Sequence, residues 1–291
     1  MNGIIVINKP LGKTSHDMVS FMRRMTGIKK VGHTGTLDPM AEGVLPICVG
    51  HATKVADMLT LSDKCYETEF VLGMTTDTLD SEGEILTECG VNCTEEEIRS
   101  AIMSFVGEIE QIPPMYSAIK QNGQKLYELA RKGIEVERQK RIVTINSIDI
   151  LDINTEDNIV KMSVSCSKGT YIRTLCEDIG IKLGVGAYMN TLKRTKTGQF
   201  TIEDAKTVKE IEQMSQFGEL EDNLVSVDKI FMDLEEIHLN PKQTKCVKNG
   251  VQMTWRGAKE GQKLRVYDDN GKFFCIAQIK EGKLKSLKSF H

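Results

Sequence analysis

Residues 32–50, GHTGTLDPMAEGVLPICVG, set a single carboxylate, Asp38, in a loop rich in turn-forming and hydrogen-bonding residues. Gly32 and Gly35 admit backbone angles closed to other residues. Pro39 fixes its own φ and steers Asp38 away from the helical region. His33, Thr34 and Thr36 crowd donors and acceptors beside the acid. An aspartate is ionised at neutral pH, so it can act as a nucleophile without an activating histidine. The same residue types also build an Asx-type turn leading into a strand, and spacing alone leaves both readings open.

The elements around this loop follow from periodicity. GVLPICVG is apolar and β-branched and reads as a buried strand over 43–49. GIIVINKP reads as a strand stopped by Pro10, after which Thr14, Ser15 and Asp17 can cap a helix over 17–26. Further strands are expected at 66–73, 141–151, 159–166 and near 198–202. Thr94 and Glu97 form a capping box for a helix over 95–106. Short or amphipathic helices are expected at 123–132, 170–183 and about 207–217. Strands and helices intermix without regular βαβ alternation, which predicts an α+β fold with a mixed, largely antiparallel sheet flanked by helices. After about residue 230 come short β-like runs, KLRVYDD, KFFCIAQI and KLKSLKSF, with DDNG at 268–271 as a hairpin turn. They predict a small β domain over 231–291, beside a larger one over 1–230.

Composition narrows the function classes. The chain has 291 residues, 40% of them hydrophobic, and no apolar run long enough to cross a bilayer. Its start lacks the basic and apolar regions of a signal peptide. Eight cysteines include no CxxC pair; Cys89 and Cys93 form an isolated C-x3-C without a second pair to complete a zinc site. The expectation is a reduced, cytoplasmic protein without a metal. Net charge is −3, but it is unevenly spread: +3 over 1–60, −11 over 61–231 and +5 over 232–291. Basic ends suit an anionic partner gripped at both, and a solvated surface equally. Within the acidic middle, residues 113–141 hold 7 basic and 3 acidic side chains. GKTS at 12–15 imitates the end of a phosphate-binding loop, but the motif needs a glycine at position 7, which is Ile7, so no nucleotide cofactor is expected.

The string GHTGTLDPMAEGVLP strongly resembles the catalytic motif of the TruB family of tRNA pseudouridine synthases. GIIVINKPLGKTSHD, DKCYE, GMTTDTLDSEGEI, QIPPMYSAIKQNGQKLYELARKGIEVERQKR, CSKGTYIRTLCEDIG and GAYMNTLKRTKTGQF match further family segments in order, from about residue 3 to 203. The resemblance implies the pseudouridine synthase fold with a PUA-like C-terminal domain. It assigns the nucleophile to Asp38, an active-site tyrosine to Tyr66 and the partner of the catalytic Asp to Arg173. Arginine suits that place because its planar fork satisfies a buried carboxylate and stays charged. Tyr171 and Leu192 match positions lining the base pocket, His33 one beneath the flipped nucleotides, and Lys9 a KP loop near the pocket. Residues 113–141 resemble the family's RNA-binding insertion. Tyr116, Lys120, Lys125, Arg131 and Lys132 there mix cations with aromatics, as phosphates and unstacked bases require, and Lys193 with Arg194 forms a second basic patch.

The expected activity is conversion of uridine to pseudouridine at T-loop position 55 of tRNA, by a monomer that needs no cofactor, membrane or guide RNA. The isomerisation detaches uracil from ribose, turns it and rejoins it through carbon. Whether Asp38 attacks the base or assists its departure is open at this level. Two alternatives stand beside this reading: a dyskerin-type, RNA-guided synthase, and a non-catalytic RNA-binding or RNA-folding protein. The intact Asp38, Tyr66 and Arg173 speak against the last, and the absence of basic extensions against the former.

Overall fold

The computed structural model describes residues 1–121, 123–257 and 259–290. In chain order the first half contains β1 (Gly3–Lys9), α1 (Ser15–Thr26), β2 (Val31–His33), β3 (Ala41–Val49), α2 (Ala56–Thr60), β4 (Lys64–Leu72), β5 (Met74–Thr76), β6 (Ile85–Glu88), α3 (Glu95–Met103), β7 (Gly107–Gln111), β8 (Lys120–Gln121), β9 (Gln124–Lys125) and α4 (Leu126–Ala130). The second half adds β10 (Arg141–Asn154), β11 (Ile159–Cys166), α5 (Ile172–Leu183), β12 (Ala187–Thr197), β13 (Phe200–Thr201), α6 (Val208–Phe217), β14 (Glu235–His238), α7 (Pro241–Lys248), β15 (Met253–Thr254), β16 (Lys263–Tyr267), β17 (Phe273–Lys280) and β18 (Lys283–Ser289).

The main sheet runs β1-β3-β12-β4-β11-β10-β7, with β2 and β13 attached to β3 and β12. Its pairings are antiparallel except β12 with β3, so it is the mixed, largely antiparallel sheet expected from sequence. β1 and β3 are apolar at successive positions because both of their faces are covered. Ile5, Ile7, Leu45 and Ile47 join the core beneath the main helices; Ile4, Val6, Val44 and Cys48 join a second cluster on the other face. β11 instead alternates, with Val160, Met162, Val164 and Cys166 buried between half-buried neighbours.

The helices are closed by local chemistry. α1 opens on a Thr14–Asp17 capping box and ends at Gly27, α3 opens on the Thr94–Glu97 box, and α6 on a Thr207–Glu210 box. A second sheet, β14-β16-β17-β18-β15, forms the C-terminal β-rich part around Val266, Phe274, Ala277 and Leu284. It does not stand apart: Phe231 and Ile276 are buried in one cluster with Ile4, Val6 and Val44 of the main sheet, and Lys54 Nζ donates to the Ser289 carbonyl at 2.5 Å. Among the described residues no helix is long and apolar enough to cross a membrane.

Four pieces of this architecture meet at one place: the loop from β2 to β3, the middle of β4, the middle of β12, and the first turn of α5. β12 lies between β3 and β4, with Leu192 level with Ala41 and Thr68, and Arg194 level with Gly43 and Tyr66. Gly43 has φ +104°, and a Cβ there would overlap the Arg194 carbonyl, so this seam needs glycine. Gly32, expected to need unusual angles, lies in β2 instead.

Candidate active site

Asp38 sits in the loop between β2 and β3, and the carbonyls around it are tied down. The Ser15 hydroxyl donates to the Leu37 carbonyl at 3.0 Å and accepts from the Leu37 amide at 2.8 Å. The Asp38 carbonyl accepts from the Ala41 amide at 3.1 Å, and the Pro39 carbonyl from the Gly12 amide at 2.9 Å. The Thr34 amide donates to the Pro46 carbonyl at 3.2 Å. The Asp38 side chain remains 39% exposed, so a fixed carboxylate is still open to a ligand.

Arg173 lies in the first turn of α5, where its backbone position is set by the N-cap residue, Tyr171. Gln111 grips that residue from β7: its side-chain amide donates to the Tyr171 carbonyl at 3.2 Å and its oxygen accepts from the Tyr171 amide at 3.0 Å. The Arg173 guanidinium, 6% exposed, divides its fork. Nη2 pairs with Asp38 Oδ2 at 2.9 Å and donates to the Tyr116 carbonyl at 2.7 Å. Nη1 pairs with Asp80 Oδ2 at 3.1 Å and donates to the Thr78 carbonyl at 3.2 Å. One buried cation thus holds two carboxylates of different character: Asp80 is 4% exposed and Asp38 is open. Asp80 is itself braced by the Thr78 hydroxyl at 2.6 Å and the Glu82 amide at 3.2 Å. The turn that aims it places Leu79 at φ +65°, a left-handed angle that a leucine adopts only under constraint. Breaking a buried ion pair by removing one partner costs about 3–5 kcal/mol, so Arg173–Asp80 is a firm anchor for the arm that reaches Asp38.

Sequence reasoning does not single out Asp80, although the residue lies within GMTTDTLDSEGEI. The signal that could have found it is a second acid in a turn-rich segment, matched to an arginine whose fork has room for two carboxylates.

Around this pair stand the apolar and aromatic groups. Tyr66 from β4 and Tyr171 at the start of α5 are half-buried, and Leu192 of β12 is buried. Burial raises both phenol pKa values above the ordinary value, and the Arg194 charge pulls that of Tyr66 back. Both tyrosines lie within electrostatic reach of Asp38. His33 ends β2. Burial and then the Arg194 charge lower its pKa, which keeps it neutral at pH 7. Its Nδ1 accepts from the Gly35 amide at 3.3 Å, leaving Nε2–H as the donor.

The structure therefore gathers Asp38, Tyr66, Arg173, Tyr171, Leu192 and His33 around one loop. It buries two other residues behind the loop. Lys9 is fully buried, and its Nζ donates to the carbonyls of Pro10 at 3.0 Å, Lys13 at 2.5 Å and Pro39 at 3.4 Å. Lys9 thus braces the loop and does not face a substrate; burial lowers its pKa to about 8. Arg194, expected in a basic surface patch, is 1% exposed, with its guanidinium on the carbonyls of Val44, Thr36 and Gly35. The physical reason is register: β12 is an interior strand and Arg194 points inward, while Lys193 beside it is half-buried.

The 113–141 segment leaves the main sheet between β7 and β10, which pair directly, so it projects from a sheet edge. It contains the β8–β9 hairpin and α4. Lys120, Arg131 and Lys132 are exposed and Tyr116 is half-buried. Lys125 Nζ donates to the Tyr127 hydroxyl at 3.1 Å, and the Arg131 guanidinium lies 5.5 Å from the Tyr127 ring.

Comparisons with known proteins identify the family. The model of the TruB family pseudouridylate synthase N-terminal domain matches residues 23–172. The tRNA pseudouridylate synthase B C-terminal domain matches 173–237, and the C-terminal model of pseudouridine synthase II TruB matches 236–288. The tRNA pseudouridine synthase B of Clostridium perfringens (strain 13) is 48% identical over 294 residues, covering 99% of this chain and 98% of its own. That of Clostridium kluyveri is 47% identical, with complete coverage of both chains (100% of each). Among solved structures, a chain of a Cbf5-Nop10-Gar1 complex superposes with TM-score 0.73 at 25% identity, covering 99% of this chain and 85% of that one. With its whole length matched by relatives at this identity, the chain belongs to the TruB family of pseudouridine synthases.

Proposed function

We propose that this protein converts uridine to pseudouridine in tRNA, at T-loop position 55, with Asp38 as the nucleophile. The observation that carries the reading is an exposed carboxylate held at 2.9 Å by a buried arginine that a second, buried carboxylate fixes in place. The target uridine leaves its stack, since its reacting atoms are out of reach inside paired RNA. Tyr66, Tyr171 and Leu192 receive the base, with the Tyr66 hydroxyl as a proton acceptor beside the ribose. The N1–C1′ bond breaks, uracil turns, and a C5–C1′ bond forms. The C5 proton leaves and N1 gains one, so no redox group enters the balance. Arg173 keeps the Asp38 carboxylate oriented throughout. His33 donates from Nε2 to RNA beneath the pocket.

The 113–141 insertion is the grip on the T-arm, through Lys120, Lys125, Arg131 and Lys132 around Tyr116 and Tyr127, with Lys193 as a further cation. Residues 1–230 carry the chemistry, and the C-terminal β-rich part, PUA-like by resemblance, adds phosphate contacts. The protein works as a cytoplasmic monomer without a guide RNA. A chain of a Cbf5-Nop10-Gar1 complex shares the fold, but the relatives near 48% identity over the full chain carry the name tRNA pseudouridine synthase B. The deciding experiment incubates the purified chain with an isolated T-arm stem-loop labelled with tritium at uracil C5. Tritium release without added RNA or protein is the expected result; a requirement for guide RNA or a protein partner would overturn the reading.

A further inference from the structure

The loop that presents Asp38 is held by side chains that never reach its surface. From β12, Arg194 donates to the carbonyls of Val44 at 2.8 Å, Gly35 at 3.3 Å and Thr36 at 3.4 Å. From the first turn of α1, Ser15, 2% exposed, engages both the amide and the carbonyl of Leu37. With the Asp38 and Pro39 carbonyls bonded to backbone amides, every carbonyl from Gly35 to Pro39 is occupied. Arg194 also faces the Tyr66 phenol, level with it across the β4–β12 pairing. A guanidinium buried on carbonyl dipoles carries a desolvation cost that an apolar side chain would not. What it supplies in return is a rigid plane of donors that can reach several acceptors at once.

We propose that Arg194 and Ser15 are positioning residues that clamp loop 35–39 from two elements, so that Asp38 and Tyr66 keep a fixed relation to each other; this rests on the reading of the chain as a pseudouridine synthase. Asp38 is itself half-open, so its placement depends on its backbone. Displacing a reacting group by about 1 Å costs on the order of 100-fold in rate.

The test measures single-turnover pseudouridine formation and, separately, tRNA affinity, for full-length Arg194→Gln and Ser15→Ala. Arg194→Gln is expected to be slower by about 30-fold or more, with tRNA affinity within about threefold of wild type. In the same variant the Tyr66 phenol, followed by 13Cζ-tyrosine NMR and assigned with Tyr66→Phe, is expected to titrate at higher pH. That shift follows from the lost charge and reports the Arg194–Tyr66 contact; the split between rate and affinity decides the clamp. Rates within about threefold of wild type, or weaker affinity with an unchanged rate, would overturn the clamp. If Arg194→Gln shows no cooperative melt, Ser15→Ala decides: a rate about fivefold lower or more at unchanged affinity supports the clamp, and a rate within about twofold overturns it. A wild-type chain that releases no tritium would overturn the functional reading and this proposal together; an active wild type with unaffected variants overturns the clamp alone.

Discussion

Arg173 concentrates the site's electrostatics in one side chain, because its two terminal nitrogens serve different carboxylates. A lysine would offer a point charge and could not span Asp38, Asp80 and the Tyr116 and Thr78 carbonyls together. Arg173→Lys is therefore expected to slow single-turnover isomerisation by roughly 100-fold, about 2.7 kcal/mol of barrier. A wild-type rate in that variant would show that the ion pair with Asp38 plays no part in the chemistry. Lys9 gives a second test with a definite sign. Burial lowers its pKa from 10.5 to about 8, so between those values the unfolded chain binds a proton that the folded chain has released. Stability then rises with pH across that window. Denaturant melts of wild type and Lys9→Met from pH 7 to 10.5 should show the stability of wild type relative to the variant growing with pH; a constant or shrinking difference would contradict the buried, carbonyl-bound lysine.

At the scale of elements, the sequence is readable where apolar period and caps agree. The Thr14–Asp17 and Thr94–Glu97 boxes mark real helix starts, and β1, β3, β10 and β11 lie where runs of β-branched residues put them. β12 escapes such reading because AYMNTLKRTKT, after its apolar start, is polar but for Leu192 and carries Lys193, Arg194 and Lys196, as a surface patch would. Only the sheet order shows that it is interior, and with it that Arg194 is a brace and not an RNA contact. Asp38, Tyr66 and Arg173 are legible as a set, whereas Asp80 and Ser15 depend on long-range placement that no local pattern reports. The insertion can be tested as an element. Its exposed Lys120, Arg131 and Lys132 stand outside the Arg173 hydrogen-bond network. Changing all three to alanine should weaken tRNA binding and reduce its salt slope by about 0.7–0.9 for each phosphate no longer neutralised. An unchanged slope would remove the insertion from the RNA interface.

At the scale of the whole molecule, the C-terminal β-rich part shares a core with the catalytic sheet. Sequence alone makes a cut after about residue 230 look harmless to the pocket, because the segment holds none of its residues. The structure adds a cost in stability that no local pattern reports. Phe231 and Ile276 are buried, and Phe273 and Phe290 partly buried, against Ile4, Val6, Val44 and Val55. Each fully buried side chain of this kind is worth about 1.5–3 kcal/mol. Deletion of 231–291 should then lower the melting temperature by roughly 10 °C or more, at about 2–4 °C per kcal/mol for a chain of this size, in addition to weakening tRNA binding. Calorimetry of the truncated chain checks this, and an unchanged midpoint would show the two sheets to be independent.

The most direct test of the account is single-turnover tritium release from C5-labelled tRNA by wild type and Asp38→Asn, with tRNA binding measured in parallel. The amide keeps the shape of the side chain and removes the nucleophilic charge. The expected result is tRNA affinity within a few-fold of wild type and no detectable isomerisation. Activity within about tenfold of wild type, about 1.4 kcal/mol of barrier, would contradict the assignment of Asp38 as the nucleophile.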